Sequence, residues 1–220
     1  MKEIPGHDRK SYRKELKALE KALGKTQNEK HLIKLLLTFQ HGERSYLVFE
    51  WADGNLLEFW RRQKMATSEP NNQWAVTQCL GLATALKRIH GLATWQKKER
   101  TSLPGDSGNV ERVYGRHGDI KAANILWFEI YGDRRHHLVL SDLGLTRYHS
   151  HLTRSQVRHS DLDGWTDQYR APEVDLGVNI SPRYDIWSLG CVYLEFHIWY
   201  LMGAQEVDRF EDQLEEETEN

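Results

Sequence analysis

The tightest constraint on this chain is a short hairpin with chemistry at both of its open ends. Two apolar runs, Ile125–Phe128 and Leu138–Leu140, flank a Tyr131-Gly132-Asp133 turn and read as antiparallel strands. His117-Gly118-Asp119-Ile120-Lys121-Ala122-Ala123-Asn124 stands directly before the first strand, and Ser141-Asp142-Leu143-Gly144 directly after the second. A tight turn brings the outer ends of its two strands together, so Asn124 and Asp142 are expected side by side. Asp119 lies five residues before Asn124, in the same neighbourhood. Two carboxylates, an amide oxygen and a lysine would then share one loop-lined edge. Such hard oxygen donors suit Mg²⁺, which keeps several waters, takes few protein ligands and accepts phosphate oxygens as the rest. Taken singly, each stretch is an ordinary turn; the weight lies in the arrangement.

Around this hairpin the sequence reads as a mixed α+β chain. Tyr12, Leu16, Leu19 and Leu23 fall on one face of a helix predicted over Lys10–Leu23, with Gly24 as its stop. Leu32–Phe39 and Ser45–Glu50 read as a second antiparallel hairpin turning at Gly42. Ala52-Asp53-Gly54-Asn55 breaks the pattern and marks a boundary between a small β-rich part and a larger helical part. Helices are predicted around Leu56–Arg62 and over Trp74–His90, with a polar gap containing Pro70 between them. The polar, turn-rich run 96–116 reads as a surface insertion. Trp187–Gly203 falls short of the roughly 20 residues a membrane span needs and carries Glu195 and His197, which makes it a buried helix. From Glu206 onward eight of the last fifteen residues are acidic, the pattern of a solvated, frayed helix or disorder.

Composition narrows the function classes. Thirty Lys+Arg against 32 Asp+Glu leave a net charge of −2, which gives no support to a bulk nucleic-acid binder. Two cysteines, Cys79 and Cys191, can build neither a disulfide framework nor a Cys-rich zinc site, and they fit a reducing interior. His136, His137, His149, His151 and His159 match no zinc spacing. Met1–Lys10 is polar and contains Pro5, so it has no signal-peptide character. The expectation is an intracellular, cytoplasmic protein without a membrane or nucleic-acid partner.

Two further stretches, Tyr169-Arg170-Ala171-Pro172-Glu173 and Asp185-Ile186-Trp187-Ser188-Leu189-Gly190, follow in order. With the first two, this set resembles the eukaryotic protein kinase family, and within it the Ser/Thr kinase-like proteins of filamentous fungi. The resemblance covers nearly the whole chain. It implies a two-lobed α+β fold with a remnant N-lobe at 1–51, an incomplete helical C-lobe at 52–205 and an acidic tail at 206–220. It implies ATP and Mg²⁺ as cofactors and a protein carrying Ser/Thr hydroxyls as substrate. By resemblance, Asp119 is the catalytic carboxylate that accepts the hydroxyl proton, Lys121 neutralises the transferring phosphoryl group, and Thr166 bonds to both. Asn124 and Asp142 are the metal ligands. Phe49 fits the gatekeeper, and Glu50, Trp51 and Ala52 present backbone groups to adenine. Lys2 takes the place of the nucleotide-binding lysine and Glu15 that of its partner on the first helix, with Glu20 as rival. Asp185 is expected to accept backbone N–H groups near His117 and Gly118.

The pattern also departs from the family. Gly118 stands where an arginine is usual, so the receptor that such an arginine offers to activation-loop phosphate is lacking. The D-F-G element reads Asp142-Leu143-Gly144. No G-x-G-x-x-G segment precedes the hinge, and Glu173 is expected without the arginine that pairs with it in the family. The sequence therefore supports a second expectation, a catalytically impaired pseudokinase-type binding module.

Overall fold

The computed structural model describes residues 2–4, 12–13, 16, 29–65, 67–91, 113–143, 146–150, 166–177 and 180–218. The helix predicted over Lys10–Leu23, with Glu15 and Glu20, lies largely outside the described residues; Tyr12, Arg13 and Leu16 are helical.

The first sheet has β1 (Lys2–Ile4), β2 (Leu35–His41) and β3 (Arg44–Phe49) in the antiparallel order β1-β3-β2. Its hairpin turns where Gly42 takes φ +57°, a left-handed conformation that favours glycine. The strand predicted from Leu32 begins only at Leu35, because Leu32 and Ile33 serve the second sheet instead. Ile33 donates to the Leu140 carbonyl at 2.9 Å, and Leu140 donates to the His31 carbonyl at 2.8 Å. That second sheet holds β4 (Gly54–Asn55), then β6 (Ile125–Tyr131) and β7 (Arg134–Leu140), in the order β4-β6-β7. Between β4 and β6 lies a third pairing partner, β5 (Val113–Arg116), which runs antiparallel to β8 (Arg147–Ser150). This corrects the end of the run 96–116 read as surface insertion; residues 96–112 lie outside the described residues. The last four residues of the run are strand, and Arg116 is only 3% exposed. A partner some thirty residues downstream leaves no local trace in the sequence.

Helix α1 (Leu56–Arg62) starts in a capping box, with Asn55 accepting from Glu58 N at 3.0 Å and the Glu58 side chain accepting from Asn55 N at 3.1 Å. Helix α2 (Glu69–Gly91) begins five residues before the predicted start. Pro70 sits in its first turn, where a missing N–H costs nothing. After the short α3 (Pro172–Asp175) comes α4 (Arg183–Met202), the helix read as buried. One face is buried, through Tyr184, Leu189, Val192, Phe196 and Trp199; on the other, Ile186, Leu194 and Leu201 are more than half exposed. The correction has a simple cause: the described elements pack against one side of α4 only. The core they form is aromatic. Phe59 sits among Trp74, Trp127 and Trp199 with ring centroids 5.1 to 5.7 Å away. Among the described residues, no helix is long and apolar enough to cross a membrane.

The acidic C-terminal segment is more structured than its charge suggests. It forms α5 (Ala204–Thr218), with Val207 buried. Its Glu211 faces Glu195 of α4, a carboxylate only 2% exposed that accepts from the Tyr169 hydroxyl at 2.9 Å. Burial pushes the Glu195 carboxyl up from 4.5 to about 7, with the Tyr169 bond opposing the rise and Glu211 adding to it. The folded chain thus binds this proton more tightly than the unfolded one, and stability falls as pH rises from about 4.5 to 7. Glu195→Gln keeps an acceptor for Tyr169 and should stabilise the fold at pH 8 by on the order of 1–3 kcal/mol. At pH 4 to 5 the two proteins should be nearly equal. Urea midpoints at the two pH values check this, and an equal gap at both would contradict it.

Candidate active site

The loop 117–124 is held from below by one buried carboxylate. Asp185 is fully buried and accepts from His117 N at 2.8 Å and Gly118 N at 2.9 Å; its Oδ2 also lies 2.7 Å from His90 Nε2. This is the placement expected of Asp185. His117 does more than pack. Its Nδ1 accepts from Asp119 N at 3.3 Å, so Nε2 carries the proton and donates to the Ser141 carbonyl at 2.9 Å. One imidazole thereby ties the loop that carries Asp119 to the residue before Asp142, a link that no spacing in the sequence disclosed. Gly118, between them, has φ +88°, where a side chain such as arginine would be strained.

Above this base the polar side chains converge. Asn124 Nδ2 donates to Asp119 Oδ2 at 2.7 Å and to the Asp119 carbonyl at 2.8 Å. Lys121 Nζ lies 3.1 Å from Asp119 Oδ1 and donates to Thr166 Oγ1 at 3.1 Å. Both Asp119 oxygens are therefore engaged, and Thr166 reaches the pair through Lys121. At the hairpin's open end, Ser141 donates twice to the Asn124 carbonyl, from N at 2.9 Å and from Oγ at 2.8 Å. That bond and the pairing of Ile125 with Leu140 place Asp142 beside Asn124, as the turn geometry predicts. Asp142 has φ +55°, a left-handed conformation uncommon outside glycine and often found at functional sites. Its Oδ1 meets Lys2 Nζ at 2.9 Å, with 41% and 44% of the two side chains exposed. Lys2 comes from the first sheet, where it pairs with Leu47, so this contact spans both sheets.

The oxygen pair fits a small hard cation. The Asn124 amide N–H groups are spent on Asp119, which leaves its Oδ1 open, and the Asp142 carboxylate follows the neighbouring strand; both are hard oxygen donors of the kind Mg²⁺ takes. Among the described residues, no three His, Cys, Asp or Glu side chains are gathered as a metal site. Glu50 and Ala52 are half-buried just beyond β3, Trp51 between them is 89% exposed, and Phe49 packs on the core. Glu15 lies outside the described residues. Glu173 is half-buried on the rim of a groove that it shares with Arg183 and Trp187, so its carboxylate keeps part of its hydration.

Comparison with known proteins fits this geometry. Residues 113–217 match the protein kinase domain family. Over 200 residues the chain is 31% identical to homeodomain-interacting protein kinase 4 of Homo sapiens and 30% identical to its counterpart in Mus musculus, in each case covering 89% of this chain and 27% of the relative. Over 197 residues it is 26% identical to homeodomain-interacting protein kinase 1 of Mus musculus, covering 89% of this chain and 14% of the relative. The chain thus spans about a quarter, or less, of the length of these curated relatives.

Proposed function

This chain belongs to the eukaryotic protein kinase superfamily, and we propose that it transfers the γ-phosphate of ATP to Ser/Thr hydroxyls of a protein substrate. The observation that carries the reading is the closed cluster of Asp119, Lys121, Thr166 and Asn124 beside the Lys2–Asp142 pair. In it Asp119 orients the substrate hydroxyl and accepts its proton as the oxygen attacks phosphorus. Lys121, held by Asp119 and Thr166, brings a cation to the phosphoryl oxygens as charge builds there. A lysine two residues after the carboxylate, with Thr166 behind it, favours Ser/Thr over Tyr substrates. Asn124 and Asp142 would hold Mg²⁺, which supplies charge neutralisation at the phosphates. Lys2 meets the nucleotide phosphates, and Glu50 and Ala52 offer backbone groups to adenine. Glu15 is placed as the partner of Lys2 by resemblance alone.

Asp142→Asn tests the reading directly. It removes the charge of the proposed metal ligand at nearly constant shape and should abolish Mg²⁺-dependent ATP binding in calorimetry, with the thermal midpoint little changed. Unchanged affinity would remove the metal-site assignment. One observation favours the second reading, a catalytically impaired binding module: Lys2 already neutralises the carboxylate proposed for the metal. That module would bind nucleotide or a partner protein and transfer no phosphate.

A further inference from the structure

Helix α4 carries a second apolar face that the described core does not use. Ile186, Trp187, Gly190, Leu194 and Leu201 recur at helical spacing and form one stripe, with Met202 at its end. At 1.5 Å per residue the stripe runs for about 22 Å. Its large side chains are half to two-thirds exposed. A groove of about 850 Å³ opens along it, lined by Ile186, Trp187, Gly190 and Leu194 with Glu173 and Arg183 as its charged members. A second groove, of about 460 Å³, lies between His197 and Leu201 of α4 and the exposed Val76 and Leu80 of α2. These side chains together offer on the order of 800 Å² of apolar surface, where the largest patch on a typical monomer shows roughly 300–600 Å². One partner in a standard protein–protein interface buries about that much. Gly190, in the middle of the stripe, is the second observation. Glycine weakens a helix interior, and among the described residues nothing requires one here, since a Cβ at Gly190 would meet nothing within 4 Å. Close approach of a second backbone supplies the reason.

We propose that this face is a dimer interface, in which two copies of the chain pack α4 on α4, antiparallel, crossing at Gly190. The stripe is self-complementary about that point. Ile186 and Leu194 lie four residues to either side of Gly190, so a two-fold axis there sets each Ile186 against the partner's Leu194. Each Trp187, three residues from the axis, enters the groove of the other copy. Charge selects a second copy over an acidic or basic partner. From Ile186 to Met202 the one ionic side chain, Glu195, is buried, so the face offers no complement to a strongly charged surface. A net charge of −2 sets little repulsion between copies. The antiparallel sense also keeps the acidic helices apart. Each α5 follows the C-terminal end of its own α4, and in this arrangement those ends point opposite ways. A parallel pair would bring the like charges together.

Sedimentation equilibrium of the chain across the micromolar range should show twice the mass of one chain at the upper end and dissociation on dilution. Leu194→Glu sets a carboxylate against the partner's Ile186 and should raise the dimer dissociation constant about a hundredfold. Gly190→Leu should raise it about tenfold by holding the two helices apart. At a dilution where the parent is monomeric, the thermal midpoint of Gly190→Leu should equal or exceed the parent's, because the single chain has room for the side chain and a helix prefers leucine. Leu37→Glu alters an exposed apolar residue of β2 and should leave the dimer unchanged. A parent chain that stays monomeric to the top of the range would overturn the proposal, whether the face is bare or suited to another occupant. So would large aggregates of undefined size in place of a dimer. A dimer that survives both α4 variants, or that Leu37→Glu dissociates instead, would place the interface elsewhere and overturn it as well.

Discussion

Asp119→Asn should lower phosphoryl transfer to a Ser/Thr peptide by about 10²–10⁴-fold, the usual range for a lost general base. The substitution conserves shape. An asparagine oxygen can still accept from Asn124 Nδ2, as Asp119 Oδ2 does at 2.7 Å, so the loop should hold its form. What goes is the capacity to take the hydroxyl proton and the ionic partner of Lys121, 3.1 Å away. Mg²⁺–ATP affinity should stay within a few-fold, because Asn124, Asp142 and Lys2 are untouched. The measurement is the initial rate of label transfer from γ-labelled ATP. If the protein binds Mg²⁺–ATP normally and transfers nothing, the binding-module reading becomes the better account.

Much of this site was legible because it is local. The β6–β7 hairpin needs only two apolar runs and a turn, and once it forms, Asn124 and Asp142 must be neighbours. The Lys121–Thr166 bond crosses 45 residues and was reached only through family resemblance. Arg116 and the β5–β8 ladder were missed for the same physical reason. Their partner strands are distant in sequence, and a polar run has no period that reveals pairing across such a gap. His117 is fully buried in the structure. Its bond to the Ser141 carbonyl depends on how two loops approach, which no single stretch encodes. The exposed side of α4 taught the opposite lesson. An apolar sequence states what a helix can bury, whereas its neighbours decide what it does bury. The acidic tail likewise folds back as α5, because Val207 finds the core despite the charges around it.

The largest expected loss of stability comes from Asp185→Ala. Both carboxylate oxygens accept a buried backbone N–H, from His117 at 2.8 Å and Gly118 at 2.9 Å, and Oδ2 also meets His90 Nε2 at 2.7 Å. Each buried amide left unpaired costs about 1–3 kcal/mol. Two of them would consume a large share of the roughly 5–15 kcal/mol that keeps a domain folded. Asp185→Asn offers little rescue, since its amide nitrogen cannot accept from the second N–H. The damage should also reach the metal-facing edge. With His117 released, the Ser141 carbonyl loses its Nε2–H donor, and Asp142 follows directly after Ser141 in the chain. Urea denaturation should therefore show a lower midpoint, and Mg²⁺–ATP titration of the protein still folded should show weakened binding. An Asp185→Ala protein with the parent's midpoint and slope would mean that water replaces the carboxylate at no cost, and that Asp185 does not hold the 117–124 loop.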